Sequence, residues 1–178
     1  AGRKTFVVMT RVLIAGQWKK RRYSIGRYKE GVDPDDDGLD LDGTDAHIEG
    51  NLFTVFRKNN DSDSTANAIS TGLDGTNSSD IVAVRNVFSG NDHAILLKEG
   101  SFATFHHNTV VDSAVSALNF DEPNRPVMPG LGADVAGCIF DGNGQVFENV
   151  YENDPVEGTT MLTVDFSLLP ETWWSRGE

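Results

Sequence analysis

Val82-Ala83-Val84-Arg85-Asn86-Val87-Phe88 and Thr104-Phe105-His106-His107-Asn108-Thr109-Val110 are two copies of one phrase. Each alternates apolar and polar residues, reaches an Asn, and ends in an apolar-rich pair. His47-Ile48-Glu49-Gly50-Asn51-Leu52-Phe53 is a third copy, and Asp134-Val135-Ala136-Gly137-Cys138-Ile139-Phe140 is a fourth with Cys in the place of Asn. A second phrase runs between them: Gly38-Leu39-Asp40-Leu41-Asp42, Ala68-Ile69-Ser70-Thr71-Gly72, Ala94-Ile95-Leu96-Leu97-Lys98 and Ala117-Leu118-Asn119-Phe120-Asp121. The Asn phrase recurs after 35, 22 and 30 residues, and the other after 30, 26 and 23. Constant phrases at varying intervals mean constant strands joined by variable turns. Period-two alternation without a helix-period stretch between copies predicts two strands per repeat and a parallel β-helix, a stacked solenoid of about five rungs.

Stacking the copies makes columns. Leu39, Ile69, Ile95 and Leu118 are expected to face inward, followed by Leu41, Thr71, Leu97 and Phe120. In the other strand Ile48, Ala83, Phe105 and Val135 fill the core, with Phe53, Phe88, Val110 and Phe140 beyond the corner. Asn51, Asn86 and Asn108 are expected to form a corner ladder that satisfies buried turn backbone, with Cys138 as a buried filler.

Charge is divided along the chain. Residues 1–30 hold nine of the 15 Lys and Arg but one of the 27 Asp and Glu, while the whole chain carries a net charge of −12. This basic segment reads as an end cap or a non-native addition, followed by a β-helix over residues 31–170 and a tail over residues 171–178. Lys19-Lys20-Arg21-Arg22 lacks interleaved aromatics, so nucleic acid is not an expected partner. No apolar run is long enough to cross a bilayer, so membrane insertion is not expected either. A single Cys excludes an intrachain disulfide.

Asp33-Pro34-Asp35-Asp36-Asp37-Gly38 resembles the opening of a calcium loop, but its twelfth position is Thr44, where an EF-hand has Glu. Asp37, with Asp40 and Asp42 on the strand beside it, nevertheless forms a candidate calcium ligand set; the competing reading is a solvated acidic turn. Stacking also gathers outward residues. Asp42, Gly72, Lys98 and Asp121 share one column, with Asp40, Ser70, Leu96 and Asn119 beside it. Glu49, Val84 and His106 share another, next to Arg85 and His107. Loops Leu73–Asp80 and Glu122–Ala133 are long enough to wall a groove over the Lys98 strip.

Asn86-Val87-Phe88-Ser89-Gly90-Asn91-Asp92-His93-Ala94-Ile95 and His107-Asn108-Thr109-Val110-Val111-Asp112 resemble right-handed parallel β-helix repeats of the pectate-lyase-like superfamily. Leu39-Asp40-Leu41-Asp42-Gly43-Thr44-Asp45-Ala46-His47-Ile48-Glu49-Gly50-Asn51 is similar to repeat regions of large secreted or surface proteins of environmental bacteria. The resemblance covers roughly residues 36–170. It implies the right hand of the helix, a secreted or cell-surface setting and association with polysaccharide.

Two functions are compatible with these features. The first is a calcium-assisted polysaccharide lyase or related glycan-active enzyme. In β-elimination a base takes the proton alpha to a uronate carboxyl while a cation stabilises the developing charge. Lys98 or His106 is the candidate base and Arg85 the candidate cation, with Asp121, Glu122, His107 and Ser70 as substrate contacts. The second is a non-catalytic structural or glycan-binding segment of a larger surface protein, able to self-associate end to end or side by side. Nucleophile-elbow, His-Glu-x-x-His and phosphate-loop motifs are absent.

Overall fold

The computed structural model describes residues 5–10, 13–15, 37–58, 66–122 and 127–176. It contains strands and no helix among these residues. In chain order they are β1 (Thr5–Thr10), β2 (Leu13–Ala15), β3 (Leu39–Asp42), β4 (Thr44–Glu49), β5 (Leu52–Thr54) and β6 (Asn67–Gly72). Next come β7 (Asp80–Val84), β8 (Val87–Ser89), β9 (His93–Leu96), β10 (Phe102–His106), β11 (Thr109–Val111) and β12 (Ser116–Asn119). The last are β13 (Gly132–Ala136), β14 (Ile139–Asp141), β15 (Gln145–Val150), β16 (Met161–Asp165) and β17 (Trp174–Arg176).

Three parallel sheets result. The first runs β1-β4-β7-β10-β13-β16, the second β2-β5-β8-β11-β14 and the third β3-β6-β9-β12-β15-β17. From β4 to β16 the chain visits the first, second and third sheets in turn and then returns to the first. This circuit is compatible with a parallel β-solenoid. It contains three strands where the sequence suggested two, because the Asn phrase is broken by a corner. Gly50, Arg85, His107, Gly137 and Phe166 all have left-handed backbone there, with φ between 49° and 67°. That residue bends one apparent strand into two, as β10 and β11 show. Thr5–Thr10 and Leu13–Ala15 pair with β4 and β5, so the basic segment supplies strands to the first two sheets. The rest of residues 1–30, and most of the proposed calcium loop, lie outside the described residues.

The inward columns form as expected. Leu39 pairs with Ile69, Ile69 with Ile95 and Ile95 with Leu118. Ile48, Ala83, Phe105 and Val135 are in register, as are Phe53, Phe88, Val110 and Phe140. Nearly all are fully buried, and each buried Phe or Ile contributes roughly 1.5–3 kcal/mol of transfer free energy. Phe53 and Phe88 stack at 4.8 Å, and the ring series continues through Phe105, Phe140, Phe147 and Trp173.

The ladder is also present. Asn51 N donates to Asn86 Oδ1 (2.9 Å), and Asn86 N to Asn108 Oδ1 (2.8 Å). Asn108 N then donates to Cys138 Sγ (3.4 Å), and Cys138 N to Ser167 Oγ (3.1 Å). The side chains also bond to the preceding strand: Asn86 Nδ2 to Ile48 O, Asn108 Nδ2 to Ala83 O and Cys138 Sγ to Phe105 O. Cys138 thus repeats, through sulfur, the two backbone bonds that the ladder Asn side chains make. A second corner, not anticipated, repeats the device: Phe56 N donates to Asn91 Oδ1 (3.0 Å) and Ser113 N to Asn143 Oδ1 (3.0 Å).

Candidate functional site

The outward residues fall on two sheets. On the third, Asp40, Ser70, Leu96, Asn119 and Glu148 are in register, and Asp42 pairs with Gly72. Lys98 follows β9 and forms an ion pair with Glu122 at 3.4 Å. Asp121 receives the Tyr151 hydroxyl at 2.5 Å. Burial and the neighbouring Asp121 carboxylate push the Tyr151 hydroxyl far above its ordinary value. Asp121 and Glu122 therefore already have protein partners.

The acidic candidates crowd the start of this strip. Gly72 has no side chain, and the Asp42 and Glu99 carboxylates occupy the space a Cβ would need. Glu99 Oε2 also accepts from Leu73 N at 2.7 Å. Burial, then the charges of Asp40, Glu99 and Asp74, raise the Asp42 carboxyl, with Lys98 opposing them. Asp37 Oδ1 accepts from Asn67 N (2.9 Å) and Nδ2 (2.7 Å), which ties it to the backbone of the next circuit. Burial raises Asp37 to about 6 despite those bonds. Among the described residues no group of three or more His, Cys, Asp or Glu side chains is arranged to hold a metal ion. Asp40 is exposed, and Asp37 is engaged in the scaffold.

Ser70 is buried and its Oγ has no hydrogen-bond partner. The same sheet holds a polar cluster that sequence reasoning did not single out. His93 Nδ1 lies 2.7 Å from Ser116 Oγ and 3.8 Å from Glu148 Oε2. Burial lowers His93 to about 4 and raises the Glu148 carboxyl. Strict alternation conceals this cluster. Ala94 and Ile95 are both core residues, as are Ala117 and Leu118, so the two-residue period fails where these strands begin.

The first sheet carries the other candidates on a partly open face. His47, Val82, Thr104, Asp134 and Thr163 form one register column; Glu49, Val84, His106, Ala136 and Asp165 form the next. Glu49 accepts from Arg85 and lies 2.9 Å from His47 Nε2, and these two partners hold its carboxyl below the usual range. His106 Nε2 lies 3.1 Å from Asp134 Oδ2, while Thr163 Oγ1 donates to Asp134 Oδ1 at 2.6 Å. Thr163 first and His106 second lower the Asp134 carboxyl. His107 occupies the exposed left-handed corner, with its ring 6.3 Å from that of His106 and nearly perpendicular to it.

The structure thus gathers Arg85, His106 and His107 along the first sheet and its corner, but puts Lys98, Asp121 and Glu122 on the third-sheet side. Lys98, Arg85 and His106 each face a carboxylate, namely Glu122, Glu49 and Asp134. A further feature was overlooked because single exposed aliphatics carry no signal. Leu52, Val87, Ile139 and Leu168 are exposed on the second-sheet side, and registry aligns them with Thr109 in one stripe. No helix among the described residues is long and apolar enough to cross a membrane. Comparison of the chain with family models, curated proteins and solved structures gave no match.

Proposed function

We propose that this chain is an extracellular, polysaccharide-associated right-handed parallel β-helix of the pectate-lyase-like kind, serving as a glycan-binding platform without turnover. The observation that supports binding is the outer face of the first sheet. There His47–Glu49–Arg85 and His106–Asp134–Thr163 form two side-chain networks on a partly exposed surface, with Phe102 alongside. Charge-assisted donors and acceptors held by a rigid array suit sugar hydroxyls, and a ring suits the apolar face of a sugar. Neutralised cations favour binding over elimination. Elimination with Lys98 as the base needs the cation beside it, and Lys98 follows β9 on the third-sheet side, away from Arg85 at the first-sheet corner.

Affinity electrophoresis through gels containing polyuronate or neutral polysaccharide, with and without calcium, tests this function. Retarded migration without unsaturated product is expected, and His106→Ala combined with Phe102→Ala abolishes the retardation. Unsaturated product that disappears in Lys98→Ala establishes the calcium-assisted lyase instead. Unretarded migration in every gel refutes glycan binding.

A further inference from the structure

We propose that the outer face of the second sheet adsorbs to the ordered surface of an insoluble, uncharged, β-linked polysaccharide. This face is separate from the first-sheet networks. It is built from one six-residue unit used four times, at residues 50–55, 85–90, 107–112 and 137–142. Each unit begins and ends on a left-handed residue, with φ between 54° and 67°. Its second residue is a ladder Asn or Cys138, its fourth is a core residue, and its third and fifth face outward. By contrast, 29, 16 and 24 residues separate one unit from the next.

The Asn ladders fix the length of this unit, but not which side chains it turns outward. Those are Leu52 and Thr54, Val87 and Ser89, Thr109 and Val111, and Ile139 and Asp141, so one of the eight carries a charge. The first sheet, by comparison, turns Asp45, Glu49, Asp80, Asp134 and Asp165 outward. Leu52, Val87 and Ile139 are 40%, 40% and 45% exposed, and Leu168 extends their row at 62%. A protein with a net charge of −12 thus keeps one row of side chains both apolar and uncovered.

Period and charge select the partner. The row of Leu52, Val87, Thr109, Ile139 and Leu168 has one member per circuit, about every 4.8 Å along the axis. An extended β-linked hexose chain advances by nearly that distance per sugar, so each circuit meets one ring. The apolar C–H face of the ring suits the aliphatic row, and the Thr54, Ser89 and Thr109 hydroxyls suit its hydroxyl edge. No Lys or Arg stands among the eight outward residues, so a polyuronate would meet the repulsion of an acidic protein without a cation to offset it there. An open row also does not enclose a dissolved chain, which loses conformational freedom when it is held. Chains already fixed side by side in a solid have little left to lose.

Depletion of the 178-residue chain from solution by microcrystalline β-linked glucan, followed over a concentration series, tests the proposal. Adsorption that persists in concentrated salt is expected. Val87→Lys combined with Ile139→Lys weakens it by about tenfold, with an unchanged circular dichroism spectrum, because each ammonium would have to be desolvated against a ring. Val156→Lys, at an apolar residue 82% exposed outside the second sheet, leaves adsorption unchanged. No depletion, adsorption that salt abolishes, adsorption that survives the double substitution, or an equal loss in Val156→Lys overturns the proposal. A concentration-dependent dimer that the double substitution dissociates, without adsorption, assigns the row to a second copy and overturns it as well. Retardation of dissolved chains by the first-sheet networks is a separate readout, so each proposal can fail without the other.

Discussion

Asn86 joins three circuits through one side chain. Its Oδ1 accepts from Asn51 N and Nδ2, while its Nδ2 donates to Ile48 O and Asn108 Oδ1. Asn86→Ala leaves several buried groups without partners, so urea unfolding should show a loss of about 2–4 kcal/mol. Cys138→Asn should do the reverse, gaining about 1 kcal/mol by replacing two weak sulfur bonds with amide bonds at the same partners. Asp37 and His93 make opposite contributions to pH dependence. Asp37 titrates near 6 in the fold against an ordinary 3.8, so its contribution falls as pH rises from 3.8 through 6. His93 titrates near 4 against 6.5, so its contribution falls as pH drops from 6.5 through 4. Thermal melts should separate them. Asp37→Asn should lose stability steeply on acidification from pH 6.5 to 4, while His93→Gln should gain stability from pH 6 to 4.

The corner between the first and second sheets is the element on which the fold turns. Gly50 and Gly137 take its left-handed backbone without steric cost, but Arg85 and His107 take it as L residues with side chains. Arg85→Gly and Arg85→Ala both remove the bond to Glu49, so their comparison isolates the backbone. The Gly variant should be more stable than the Ala variant by about 1 kcal/mol in chemical denaturation. This corner explains why the third strand of each circuit was not legible. Val84 is half-buried, Arg85 exposed, Asn86 buried and Val87 exposed, so the alternation slips by one residue at the bend, yet nothing in Arg85 announces positive φ. The Asn beside it was legible because an amide at a fixed offset has few other roles. The failed alternation before Ile95 and Leu118 was not, since Ala is compatible with either face of a strand.

Across the whole molecule, the parallel circuits distribute the core along the axis, so stability is the sum of neighbouring contacts. A net charge of −12 opposes that stacking. Raising sodium chloride from low to moderate concentration should raise the melting temperature, because the screening length shrinks to about 10 Å at 0.1 M salt. Calorimetry over a series of salt concentrations checks the effect. A melting temperature that falls with salt would show that specific ion pairs outweigh the general repulsion.

The amino-acid sequence by itself determined the repeat, the inward columns and the Asn ladder, because burial and ladder bonding act on every copy at the same offset. Only the tertiary structure decided which charged side chains meet. Lys98 found Glu122 rather than Asp121, Arg85 found Glu49, and His93 was buried against Ser116 beside Glu148. A column places a residue to within one strand spacing, but an ion pair depends on the reach of the side chain and on turns whose lengths differ from copy to copy.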